Sequence, residues 1–141
     1  MRRFTFVTER QSMLPAGGLL RLSRTIKMAR SKLPKTGPVN FCLVSNSRML
    51  EFDHGFTDVL TFPKINENYL LGDVYMNIDF VRSQYMASMQ LARIEELAVH
   101  SLLHLHDYTH DERREYDKMR NKEIQVLGRP CLPVWGKQIL V

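Results

Sequence analysis

Residues 88–106, SMQLARIEELAVHSLLHLH, constrain the fold more than any other stretch of the chain. They contain neither Gly nor Pro and are rich in Leu, Ala, Met and Glu, which lose little freedom on entering a helix. On a wheel of about 100° per residue, Leu91, Ile94, Ala98, Leu102 and Leu105 share one arc. Arg93, Glu96, His100 and His104 fall opposite. The pattern predicts a long helix whose two histidines stand apart from its main apolar stripe.

Four of the five histidines lie within residues 100–110, HSLLHLHDYTH. His100 and His104 are i and i+4, so their rings leave one helix face a turn apart. A third ligand must approach from another direction, and a chain that leaves the helix after residue 106 and turns back supplies it with His110. Asp107 suits that turn because Asp tolerates the left-handed conformation better than most residues. The set His100, His104 and His110 is therefore the expected metal site, with zinc the expected ion. Three protein ligands leave a fourth position for water, the arrangement of a catalytic zinc, whereas a structural zinc is usually closed by four ligands. His106 points about 200° away from His104 on the same wheel and is expected to be structural or solvent-facing. Zinc proteases use H-E-x-x-H with the Glu as general base, and Ser101 stands at that place, so peptide hydrolysis is not expected.

The rest of the chain mixes helices and strands without strict alternation. Residues 3–8 alternate as a strand does. Residues 18–33 read as an amphipathic helix, with Leu19, Leu20, Leu22, Ile26, Met28 and Ala29 at helical spacing, stopped by Pro34, Gly37 and Pro38. Strands are expected over 39–45, 56–63 and 70–78, a short helical turn over 46–52, a loop at Asp53–Gly55, a polar turn over 64–69 and a last helix over 111–127. The turn-rich tail 128–141 has no assignment. With no repeat or linker, the expectation is one α+β domain, residues 1–141, a mixed sheet packed with helices and a metal site at the end of a central helix.

Composition narrows the setting. No apolar run reaches the roughly 18 residues of a membrane span, and no signal-like apolar segment follows the basic start. Cys42 sits in the apolar run VNFCLV and Cys131 between two prolines, which makes neither a disulfide framework nor a zinc spacing. An intracellular, cytoplasmic protein (or one of an organelle matrix) is expected. The formal charge is +5. Basic residues gather at Arg21, Arg24, Lys27, Arg30, Lys32 and Lys35, and again at Arg113, Arg114, Lys118, Arg120 and Lys122. Each charge alone suits a solvated helix face; together they favour a polyanionic partner.

HSLLHLHDYTH resembles the H-G-x-L-H-L-x-G-Y-D-H signature of the YbeY endoribonucleases. FTDVLTFP is similar to that family's P-T-D-V-L-S-F-P, LGDVYMN to its G-D-I strand, and Met119, Glu123, Ile124 and Leu127 match the spacing of its final helix. The likeness covers roughly residues 39–127. It implies a single-strand-specific, metal-dependent RNA endonuclease acting in ribosomal RNA maturation, notably at the 3′ end of small-subunit rRNA, and in ribosome quality control. RNA and the small ribosomal subunit are the implied partners. His100, His104 and His110 take the ligand roles by match to the motif.

Ser101, Asp107 and Thr109 depart from the family's Gly, Gly and Asp. Glu51 stands where the family usually has an arginine thought to contact phosphate. Arg48, close by, is the candidate to replace it. Asp58 and Glu96 are candidates by type for a general base, with Asp58 alternatively bracing the strand beside the site. Asp111 or Glu96 is expected to orient a ligand histidine, as carboxylates behind metal sites commonly do. The competing expectation is a non-catalytic assembly factor in which zinc holds the fold and the basic face binds rRNA.

Overall fold

A computed structural model describes residues 4–9, 13–35, 37–52, 57–63 and 72–132. The elements run β1 (Phe4–Thr8), α1 (Gly18–Ser31), β2 (Val39–Val44), α2 (Asn46–Leu50), β3 (Val59–Pro63), β4 (Gly72–Asn77), α3 (Ile78–Gln84), α4 (Ala87–Leu105) and α5 (Arg113–Leu127). The Asp53–Gly55 loop, the 64–69 turn and the tail beyond residue 132 lie outside the described residues.

The four strands form one mixed sheet in the order β1-β2-β4-β3. β1, β2 and β4 are parallel, and β3 joins β4 antiparallel with Val59 opposite Met76 and Pro63 opposite Gly72. The fold class is thus α+β. One sheet face carries Phe41, Leu43, Val74 and Met76 into the main core, where Leu22 and Ile26 of α1 and Leu97 and Leu102 of α4 meet them. A smaller cluster on Cys42, Val44 and Met49, flanked by Leu60 and Tyr75, lies apart from it. Cys42 is a small core residue, as expected.

The sequence periods give most elements to within a few residues, and three differences have physical causes. First, α1 buries Leu22, Ile26 and Ala29 but leaves Leu19 and Leu20 exposed; it also buries Arg30, whose guanidinium donates to the Gly37 carbonyl at 2.7 Å. The first basic cluster is largely occupied internally. Arg21 pairs with Glu95, Lys32 donates to the Val126 carbonyl and Lys35 pairs with Asp107. Second, the expected 70–78 strand ends at Asn77, which caps the unforeseen α3 by accepting from the Phe80 N–H at 3.1 Å, with Asp79 favourable in the first turn.

Third, α4 is buried nearly all round. Its polar face holds Arg93, Glu95 and Glu96, all buried. Arg21 of α1 and Arg129, beyond α5, cover that face with ion pairs. The helix is central, as expected, and the difference is that its polar side is buried as well. Ser101, fully buried, donates its hydroxyl to the Leu97 carbonyl at 2.8 Å, so it needs no other partner.

The C-terminal end of α4 packs under the start of β4. A Cβ built on Gly72 would stand 2.7 Å from Leu105 Cδ2 and 3.1 Å from the Phe62 carbonyl oxygen. Leu105 is packed in the main core and the Phe62 oxygen is backbone, so neither gives way freely. Gly72→Ala is expected to destabilise the protein by about 1–3 kcal/mol through overpacking, readable as a lowered midpoint in chemical denaturation.

Candidate metal centre

His100 and His104 occupy the last turns of α4. The helix stops at Leu105 because Asp107 takes a left-handed conformation, φ 70°, the one non-glycine residue with positive φ among those described. The Tyr108 N–H then bonds back to the Leu103 carbonyl at 3.0 Å, which reverses the chain and presents His110 to the other two rings. Asp107 thus adopts the conformation expected of it. The ring centroids are 4.6 Å apart for His100–His104, 5.3 Å for His100–His110 and 4.9 Å for His104–His110. One nitrogen from each ring lies within 4.8 Å of the others.

The hydrogen bonds fix which nitrogens face inward. His100 Nδ1 stands 3.1 Å from Glu123 Oε2, and His104 Nδ1 stands 3.0 Å from the Tyr108 carbonyl oxygen. A carboxylate and a carbonyl only accept, so both Nδ1 atoms carry the proton in the neutral rings. That leaves two Nε2 lone pairs facing each other at 3.1 Å. Two acceptors at this distance repel unless a cation lies between them. A tetrahedron with Zn–N of about 2.0–2.1 Å has an edge of about 3.3 Å, close to what is seen. Burial, reinforced by neighbouring His100 and His110, lowers the His104 pKa to about 4, which keeps it in the neutral form a metal needs. The residues fit a divalent transition-metal ion.

His106 is not part of the group. Its Nδ1 bonds the Leu102 carbonyl at 2.8 Å and its Nε2 accepts the Lys35 N–H at 3.2 Å, a structural role joining α4 to the end of the α1 segment. Burial pushes the Cys131 thiol up to about 11, far from the thiolate that binds metals.

The trio opens into a cleft of about 1070 Å³. β3 and the residues before it form one wall, and Tyr116, Met119 and Arg120 of α5 the other. Asp58 lines this cleft and is paired with Arg93 at 3.0 Å. Arg48 does not line it. That side chain pairs with Glu51 and lies over the rings of Phe52 and Tyr75, 5.4 Å and 6.0 Å from their centroids. Glu96 is wholly buried among Arg93, Arg129 and the Leu132 N–H, and Asp111 is exposed. Neither contacts a ligand histidine among the described hydrogen bonds.

The carboxylate that does so is Glu123, which the motif spacing singled out without a role. It is buried on the inner face of α5 beside Met119 and Val126. Its place as an acidic residue on the stripe of Met119 and Val126 is a signal the sequence carries. Among the described residues, Arg93 and Arg120 are the cations that line the cleft. Glu123→Gln is expected to keep the fold and weaken metal affinity by about 10–100-fold, measured by competition with a chromophoric chelator.

Fold and site together define an α+β protein with a histidine trio, suited to a metal, at the end of its central helix. Residues 22–129 match the family described as Endoribonuclease YbeY. The chain belongs to the YbeY family. It is 32% identical over 111 residues to Endoribonuclease YbeY of Desulfitobacterium hafniense, covering 64% of this chain and 70% of that one. It is also 32% identical over 105 residues to Endoribonuclease YbeY of Alkaliphilus oremlandii, covering 63% and 69%. A Thermotoga maritima protein solved in solution shares the fold, with a TM-score of 0.52 at 23% identity over 91% of this chain and 90% of that one.

Proposed function

We propose that the protein is a zinc-dependent endoribonuclease that cuts single-stranded RNA in the maturation of small-subunit rRNA, with a part in ribosome quality control. The observation that carries the reading is the pair of facing Nε2 atoms, 3.1 Å apart, at the floor of an open cleft. His100, His104 and His110 hold the ion. When bound, it supplies Lewis acidity that offsets charge developing on a phosphoryl group and makes water more acidic. Glu123 fixes the His100 ring, and the Tyr108 carbonyl fixes that of His104. Arg120, on the cleft wall, holds the phosphate backbone in the place sequence reasoning gave to Arg48. Asp58, tied to Arg93, keeps the β3 entrance in place rather than moving a proton. Three imidazoles also suit nickel, copper or iron, so supply in the cell decides among them.

A second reading is a non-catalytic rRNA-binding assembly factor stabilised by zinc, favoured by the placement of Arg48 outside the cleft. Both readings give RNA binding. Digestion separates them: zinc-loaded protein should cut an unstructured oligoribonucleotide, spare its duplex and stop when a chelator removes the ion. Binding without cutting supports the assembly factor, and cutting unaffected by the chelator overturns the metal-dependent mechanism.

A further inference from the structure

The position of β3 gives the cleft a wall made of backbone. In the described sheet β3 is at the edge, paired with β4 on one side. The bond from the Asn77 N–H to the Asp58 carbonyl, 2.8 Å, fixes the phase of that pairing. In an antiparallel ladder alternate residues exchange both backbone bonds with the partner strand. Asp58, Leu60 and Phe62 therefore face β4. Val59 and Thr61 turn both N–H and C=O the other way, and Pro63, at the next such position, has no N–H to offer. These residues line the same cleft as the three histidines.

A strand edge offers a donor beside an acceptor at every second residue. Two ligand chemistries present the complement: an extended polypeptide and the Watson–Crick edge of an unpaired base. The surroundings favour the base. Across the cleft stands Tyr116, 42% exposed, a ring on which a base can stack. Its helix carries five basic residues against three acidic ones, and one of the five, Arg120, lines the cleft, where it attracts a polyanion.

We propose that the free edge of β3 is a base-reading ledge: the backbone N–H and C=O groups of Val59 and Thr61 hydrogen-bond the Watson–Crick edges of unpaired RNA bases as the strand passes the histidines. A duplex has already used those edges, so the ledge rejects it without any base-specific side chain. This rests on the RNA-cleaving reading above.

The test uses the zinc-loaded, ¹⁵N-labelled full chain and a 2′-O-methyl phosphorothioate oligonucleotide, which resists cutting. Saturation with the single strand should slow amide hydrogen exchange at Val59 and Thr61, and the same strand in duplex should not. Thr61→Pro removes one outward N–H while leaving the ladder to β4, as Pro63 already does. It should bind the single strand about tenfold more weakly, whereas Thr61→Val should bind as the parent does. The exchange measurement on the parent protein stands even if the proline variant fails to fold. Unchanged exchange at both amides under saturating RNA would overturn the ledge and leave the nuclease reading intact. Protection by an extended peptide but not by RNA would overturn it equally. No RNA binding at all would overturn both.

Discussion

His104→Ala is expected to abolish metal binding and to lower RNA cleavage by on the order of 10³-fold or more, since a bound ion contributes several kcal/mol to the charge stabilisation such reactions need. His104 is the ring whose Nε2 faces that of His100 at 3.1 Å, and its centroid lies within 5 Å of both partners, at 4.6 Å and 4.9 Å. Without it the remaining nitrogens belong to His100 and the exposed His110, which cannot close three corners of a tetrahedron. The fold should survive, because the deletion also removes a lone-pair repulsion and leaves the Tyr108 backbone turn to Leu103 in place. Metal content of the purified variant, its circular dichroism and an RNA digestion decide the matter together. His106→Ala is the contrasting case: it loses the bonds to the Leu102 carbonyl and the Lys35 N–H, so stability should fall while metal content stays. A folded His104→Ala protein that carries no metal and cuts RNA at the parent rate would remove the trio from the mechanism.

The same region shows what a sequence discloses and what it does not. The i, i+4 spacing of His100 and His104 and the turn at Asp107 are local, governed by helix geometry and one residue's tolerance of positive φ, so they are legible without coordinates. His106 is separated from the group by the same wheel. Glu123 is different: it reaches His100 from another helix, 23 residues on, and only the packing of α5 on α4 brings them together. Arg48 stands near a family position in sequence, and sequence distance says nothing about the direction α2 takes. The wheel of α4 sets Arg93 and Glu96 off the apolar stripe, yet both are buried, for a related reason. A wheel sorts residues by chemistry and takes polar as exposed, yet a polar face is buried when other elements bring matching charges to it.

That buried face supplies the largest expected effect on stability. Glu96 has no solvent exposure. One of its oxygens accepts from Arg129 Nη1 at 2.6 Å, the other pairs with Arg93 Nη1 at 3.4 Å, and both lie near the Leu132 N–H, at 2.9 Å and 3.1 Å. Glu96→Ala leaves two guanidiniums and an amide facing a space that their anion filled. Removing one partner of a buried charge cluster costs about 3–5 kcal/mol, which for a chain of this size lowers Tm by roughly 10–15 °C. Arg129→Met should cost less, because that side chain is 33% exposed and its loss leaves Arg93 to neutralise the glutamate. The order of the two midpoints is the informative result: were Arg129→Met the more damaging, packing of the 129–132 segment rather than the buried charge would be what holds it. The consequence reaches the cleft. Arg93 spans Glu96 and Asp58, so a guanidinium released from its buried anion is free to pull on Asp58, whose carbonyl holds the entrance of β3 to Asn77. Glu96→Ala should therefore weaken RNA binding as well as stability, although Glu96 never meets the RNA.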